Sequence, residues 1–486
     1  MSKINEFIKE TLVYGFANVF TKVFAFILIP LYQGLGDSTY TNIIMLQSVF
    51  SVLAFFLALN SGVFYYYYEY DRLKYRKLIF TTWFYYQIGL AFILFLSLFL
   101  FRAQLAELLI TTDANRAELE LAFVLIGIQY FPYILNITNI NLFRIQRRPR
   151  SVMVISLTEA ALTLAFVWTG TSFFDFGLTE IICSLIVART IVALLFSKTA
   201  KLYLNIKNFS TRMMKKLVSF SWPFFIISSF SWAIISLDKF IGIDLLSNKF
   251  DVALLAFAMQ LSLPIAILAD MIRMAIGPFI MSIRKEEDAE KSYQQVFDLS
   301  VFVGFGTLIL MIILSPLLIY LLSKNDNYIT VLAVFPLIGL GSVISLISNQ
   351  FAISFSLSKK NSYILLATVV GGIIGFLVNF YFMQDYGFVV AGVSQIASYV
   401  IMAVILYLLG VRIAKLQMNL VMTFVMLAIV SGYISFIYMN LESILDGNFL
   451  FMILIGIAAG LLLILTYFKF QKLSPRTLIR YLSKRK

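Results

Sequence analysis

Apolar residues fill most of this chain in runs of about 20, each long enough at 1.5 Å per residue to cross a hydrocarbon core of about 30 Å. Short polar segments separate the runs, and the two-residue alternation of an outer-membrane barrel strand is missing. The pattern predicts an all-α polytopic membrane protein with fourteen spans, at 11–33, 40–62, 79–101, 119–143, 151–170, 177–197, 217–243, 252–281, 295–322, 329–357, 361–383, 387–409, 419–440 and 448–468. Seven of the nine prolines fall inside these spans, Pro30, Pro132, Pro223, Pro264, Pro278, Pro316 and Pro336. A membrane-helix proline bends the axis and frees a carbonyl, which suits a helix that lines a cavity or flexes, but proline is also common in such helices generally. Gly371, Gly372 and Gly375 predict close packing of the eleventh span.

Basic residues orient the chain, because the cytoplasmic loops of a helical membrane protein carry the excess of Lys and Arg. Of 38 Lys and Arg, 30 fall in alternate segments beginning with the N-terminus, four in the opposite set and four inside spans. Both termini are therefore expected in the cytoplasm. The exterior loops are all short, with 102–118 the longest, so no external catalytic domain is expected. The segment 198–216, KTAKLYLNIKNFSTRMMKK, predicts an interfacial helix joining two six-helix bundles. The expected organisation is 1–197 (N-lobe, spans one to six), 198–216 (basic linker), 217–410 (C-lobe, spans seven to twelve) and 411–486 (two further spans and a basic tail). The linker and the tail read either as topology anchors or as partner sites.

Composition narrows the function classes. With 61% apolar and 13% charged residues, the 486-residue chain is far from a soluble domain. No signal peptide is evident at MSKINEFIKE. Cys183 stands alone, so no internal disulfide forms, and no histidine supplies a metal ligand or an acid–base group. No phosphate-binding G-x-x-x-x-G-K-[ST] run is present. No metal or cofactor is expected. The net charge of +13 follows from the basic cytoplasmic loops and points to a bilayer with anionic lipids, not to nucleic acid.

The residues most in need of explanation are the charges inside spans, the cations Lys22, Arg189, Lys239 and Arg273 and the acids Glu159, Asp238 and Asp270. Each costs about 2.5–3.5 kcal/mol at a helix centre unless it faces water or a partner. Lys22 lies about 16 Å deep, too far to reach the interface, whereas Lys239 near the end of its span is placed to snorkel. Asp270 and Arg273 share a helix face; Asp238 and Lys239, being adjacent, do not. Glu159 is a candidate partner across the bundle for Lys22, Arg189 or Lys239. Two readings stay open, salt bridges that hold the bundles together and cations lining a cavity for an anionic headgroup.

Several stretches resemble the Wzx-type polysaccharide repeat-unit flippases. They are YGFANVFTKVFAFILIPLY in the first span, FRIQRRPRS at 143–151, LVSFSWPFFIISSFSWAIISLDKFIG at 217–242, RMAIGPFIMSI at 273–283 and the eleventh and twelfth spans at 357–402. The resemblance implies the superfamily shared with MATE exporters and lipid II flippases, in which two pseudo-symmetric six-helix lobes surround a central cavity. It implies a cargo of oligosaccharide on undecaprenyl diphosphate, crossing a bacterial inner membrane for O-antigen, capsule or exopolysaccharide assembly, with contact to polymerase machinery a further expectation. Lys22, Arg189, Lys239 and Arg273 are then the candidate phosphate contacts, and Glu159, Asp238 and Asp270 candidate cavity or coupling charges. Asn18, Tyr32, Gln260, Asn349 and Gln350 are candidate sugar contacts by their position in spans. Where the family often carries an arginine, at the end of span two, this chain has Tyr65 to Tyr68, either an interfacial belt or a surface for sugar rings. The driving force is open among a proton, a sodium ion and the membrane potential.

Two rivals are a cation-coupled multidrug exporter of the MATE kind, which the net positive set of embedded charges disfavours, and a membrane enzyme such as a polymerase or glycosyltransferase, which the short external loops disfavour. Reporter fusions test the orientation. Alkaline phosphatase joined within 102–118 should be active and joined after Lys486 inactive; the reverse pattern contradicts the assigned topology.

Overall fold

The computed structural model describes residues 20, 23–57, 60–70, 72–109, 115–146, 148–246, 248, 250–269, 272, 289–323, 325–357, 360–413 and 418–471. Lys22, Asn18, Asp270 and Arg273 lie outside the described residues. The described residues form helices and turns with no strand. Among the described residues ten helical stretches are long and apolar enough to cross a membrane, Asn361–Arg412 being taken as one of them, or eleven if Phe250–Leu261 and Leu263–Ala269, bent by 41° at their junction, make one span. The fourteen-span count thus goes beyond what the described residues establish.

Chain contacts divide the protein into two compact units, Met1–Ala256 and Phe257–Lys486. The first holds α1 (Ile29–Gln33), α2 (Asp37–Leu57), α3 (Asn60–Glu69), α4 (Leu73–Leu100), α5 (Arg102–Leu109), α6 (Arg116–Ile145), α7 (Pro149–Phe173), α8 (Leu178–Lys201) and α9 (Thr211–Leu245). Helix starts follow local chemistry. Asn115 caps α6 by accepting from Ala117 N–H at 3.1 Å, and Pro149 opens α7 where a missing N–H costs nothing. Helices α6, α7 and α8 pack together, and α9 lies on α2, α3 and α4. The first unit thus runs through α9 and ends at Ala256.

The 198–216 linker is not the interfacial helix that its composition suggested. α8 runs on to Lys201, a 3-10 turn covers only Ile206–Asn208, and α9 begins at Thr211 under a Ser210 cap, whose Oγ accepts from Met213 N–H at 3.3 Å.

The second unit begins within α10 (Phe250–Leu261) and holds α11 (Ala289–Leu322), α12 (Phe335–Leu357), α13 (Asn361–Tyr386), α14 (Val390–Ile413), α15 (Val421–Met439), α16 (Leu441–Leu445) and α17 (Phe449–Phe470). α12, α13 and α14 pack as one group, while α15 and α17 pack on each other and on α11. Phe302 of α11 stacks on Tyr467 of α17 with centroids 4.5 Å apart. Gly387, at φ +71°, makes the reversal between α13 and α14 in a conformation that other residues resist.

The glycines of α13 do let helices approach. A β-carbon on Gly371 would stand 2.8 Å from the Ser398 carbonyl oxygen of α14, and one on Gly375 would collide with Ser398 Oγ. Gly371→Leu should therefore cost about 2 kcal/mol by overpacking, read as a lowered melting temperature in detergent. Gly432→Leu on α15, where an added β-carbon meets nothing within 4 Å, should not; equal melting of the two variants contradicts this packing.

Candidate functional site

Two ionic centres meet the middle of α2 in the first unit. On one side, Arg189 of α8 holds Glu159 of α7, Nε to Oε1 at 2.9 Å. Asn136 of α6 donates its amide to Glu159 Oε2 at 3.0 Å and to the Arg189 carbonyl at 3.3 Å. The guanidinium lies over the Phe50 ring of α2, 4.7 Å from its centroid, and 5.8 Å from that of Tyr133. Tyr130 stacks on Phe50 at 4.7 Å and donates its hydroxyl to the Phe50 carbonyl at 3.0 Å. Arg189 is thereby paired through Nε and covered by aromatic faces in a partly buried setting, while its Nη1 has no hydrogen-bond partner among the described residues.

On the other side, Lys239 of α9 is 4% exposed and its ammonium donates to Ser48 Oγ of α2 at 3.4 Å. Asp238, also 4% exposed, accepts from the Lys239 backbone N–H at 2.8 Å. Asp238 turns its carboxylate to the Lys239 backbone, and among the described residues no ion pair joins the Lys239 ammonium to a carboxylate. Nor does Lys239 snorkel; it turns inward. An ammonium has three donors; among the described residues its hydrogen bond is to one neutral hydroxyl at long range, and Asp238 is the neighbouring carboxylate that attracts it without forming an ion pair.

Close helix approach sets this geometry. Gly62 of α3 donates its N–H to Ser221 Oγ of α9 at 3.1 Å, and a β-carbon there would stand 2.8 Å from that oxygen. Ser221 and Lys239 are 18 positions apart on α9, so the helix is seated at two points separated by about 27 Å. Ser48 and Phe50 are two positions apart on α2, which at 3.6 residues per turn sets them about 200° apart. Arg189 and Lys239 therefore approach one level of α2 from nearly opposite faces. They do not share a single pocket.

The candidate sugar contacts scatter. Tyr32 is buried at the end of α1 in the first unit; Gln260, Asn349 and Gln350 lie in the second. Asn349 donates its amide to its own helix at Ser345, 2.9 Å away, and Gln350 is buried. Residues that span position alone did not single out include Ser48, Phe50, Tyr133 and Asn136. The run NITNIN at 136–141 carried a signal, since Asn136, Thr138, Asn139 and Asn141 are all buried within a span. Asp298 of α11 was also missed. It is buried, accepts from Gln294 and Gln471 at 2.8 Å each, and Gln294 in turn pairs with the Asn419 backbone at 2.9 and 3.0 Å. That carboxylate ties α11 to the approach to α15 and the end of α17.

The family described as polysaccharide biosynthesis protein matches residues 71–322. No curated protein sequence matches significantly. Similar solved structures include a lipid II flippase, MurJ, in an inward closed conformation, with TM-score 0.73 at 13% identity over 95% of this chain and 99% of that one. An inward-facing multidrug resistance MATE family transporter gives TM-score 0.69 at 12% identity over 83% and 98%. A MOP superfamily transporter from Pyrococcus furiosus, with a binding pocket of reversed polarity, gives 0.63 at 12% over 84% and 95%. The fold is that of these transporters.

Removing one partner of the Glu159–Arg189 pair should leave the other charge exposed to an apolar setting. Glu159→Gln and Arg189→Gln should each lower the melting temperature, by a cost of about 2 kcal/mol. The double variant should melt well above the sum of the two losses. Strict additivity contradicts the pairing.

Proposed function

The chain belongs to the polysaccharide biosynthesis protein family, and from that premise we propose that it is a flippase for oligosaccharide repeat units linked to undecaprenyl diphosphate. It carries them from the cytoplasmic to the outer leaflet of a bacterial inner membrane, by alternating access, for O-antigen, capsule or exopolysaccharide assembly. The lipid II flippase fold supports this reading, since lipid II too is a lipid-linked glycan. The observation that carries the cargo chemistry is the Lys239 ammonium, buried on α9 with one neutral hydroxyl as partner. A protein that needed only stability would replace such a charge with an apolar residue. A loosely held cation in a span instead suits an anionic group that arrives and leaves.

The diphosphate meets Lys239 when alternating access uncovers it, and Lys22 and Arg273 join it as phosphate contacts. Arg189, already matched by Glu159, positions helices and takes no phosphate in this scheme. Asp238, next to the ammonium, keeps the site from binding phosphate too tightly to release it. The lipid tail stays in the bilayer while the lobes rock. Asp270 remains a candidate coupling charge, and the sugar is met by hydroxyl, amide and aromatic side chains including Tyr32 and Gln260, with Tyr65 at the mouth.

Lys239→Met, made together with Asp238→Asn so that no buried carboxylate is stranded, tests the role of the ammonium. With the melting temperature read in parallel, flipping of a fluorescent undecaprenyl-diphosphate oligosaccharide in proteoliposomes should fall at least about tenfold, the equivalent of 1.4 kcal/mol, relative to Asp238→Asn alone. Normal flipping by the double variant removes Lys239 from the mechanism, and drug efflux without glycolipid flipping replaces the reading with that of an exporter.

A further inference from the structure

The linker between α8 and α9 presents apolar side chains to the outside although its backbone is held in place. Leu202 is 71% exposed, Ile206 65% and Phe209 40%. Two buried threonines of α4 fasten the segment. Thr81 donates its hydroxyl to the Tyr203 carbonyl at 2.8 Å and accepts from Asn205 N–H at 3.3 Å; Thr82 accepts from Ser210 N–H at 3.1 Å. Gln146 donates to the Tyr203 hydroxyl at 3.4 Å, and the Tyr203 ring packs edge-on against Phe80. Asn205 Oδ1 accepts from Lys207 N–H at 3.0 Å and starts the turn over Ile206–Asn208. Free loops bury such side chains where they are able to. Here Tyr203 points inward and takes the contacts with the unit, and the fastening turns Leu202, Ile206 and Phe209 away from it.

Charge says what covers them. From Lys198 to Lys216 the chain carries six cations and no acid. Lys198, Lys201, Lys207, Arg212, Lys215 and Lys216 are all exposed. Outward apolar side chains flanked by cations are the signature of a segment lying in the boundary of an anionic leaflet, with the apolar groups at the acyl edge and the cations at headgroup phosphates. We propose that residues 201–216 are a preformed docking surface for anionic phospholipid, in which Leu202, Ile206 and Phe209 enter the headgroup boundary and Lys201, Lys207, Arg212 and Lys215 hold lipid phosphates. The surface is independent of the cargo and of the ionic centres on α2.

The test uses the full chain reconstituted in phosphatidylcholine vesicles with or without phosphatidylglycerol. An environment-sensitive fluorophore is placed at Ile206→Cys, or separately at Asn208→Cys, in a Cys183→Ser background. With phosphatidylglycerol the label at 206 should shift to the blue and be quenched by shallow spin-labelled lipid. High salt should weaken that quenching severalfold, as should the combined change of Lys201, Lys207, Arg212 and Lys215 to Gln. Salt acts on the unaltered linker charges, so the result does not depend on the multiple variant folding. A label in water at both compositions overturns the proposal. So does quenching that ignores lipid charge and salt, and so does shielding that appears only when an acidic soluble protein is added.

Discussion

An ionised side chain within hydrocarbon must find a counter-charge, hydrogen bonds or water, and this demand organises the first unit of the protein around α2. Arg189 and Lys239 are placed at one level of that helix and resolve the demand differently. Arg189 has a carboxylate at 2.9 Å, an amide that bridges both partners, and aromatic rings against its guanidinium. Residues from three neighbouring helices gather on it, although its Nη1 is buried without a hydrogen-bond partner among the described residues, so the centre acts as a structural joint. Lys239 has a hydroxyl at 3.4 Å. Its ammonium forms no ion pair among the described residues, with Asp238 only a neighbouring charge, and such a loosely held cation points to a ligand of opposite sign.

This asymmetry also bears on the choice among transporters that share the fold. The fold accommodates pockets of either polarity, as the reversed-polarity transporter from Pyrococcus furiosus illustrates, so architecture alone does not name the cargo. In the proposed reading the sign of the embedded charge does, since a buried ammonium disfavours organic cations and favours an anionic group, and the polysaccharide biosynthesis family is consistent with a glycan cargo. The neighbouring Asp238 carboxylate keeps the local field modest, which a carrier needs if its cargo is to leave.

Much of the architecture was legible in the apolar runs, because a helix that crosses hydrocarbon announces itself by length and hydropathy alone. The runs at 79–101, 119–143 and 448–468 correspond to α4, α6 and α17. Pairing was less legible, since it depends on helix rotation. Glu159 stood out as a candidate partner for Lys22, Arg189 or Lys239 because charges are rare in spans, and the structure pairs it with Arg189, but Ser48 did not stand out, being one of many serines. The opposite placement of Arg189 and Lys239 follows from the two-residue step between Ser48 and Phe50, which matters only once α8 and α9 are known to flank α2. The linker misled for a related reason. Its amphipathic composition suits an interfacial helix, yet Thr81 and Thr82 hydrogen-bond its backbone on either side of a short 3-10 turn, an interaction set by a distant part of the chain. Asp298 escaped notice because its partners are neutral amides.

The account rests on charge selecting the cargo, and transport across vesicles containing the wild-type protein tests that most directly. One oligosaccharide is presented on undecaprenyl diphosphate and, in parallel, on an uncharged polyprenyl carrier, and the rate of appearance in the opposite leaflet is measured for each. The account predicts rapid flipping of the diphosphate and little of the neutral lipid. Equal rates for the two would contradict it.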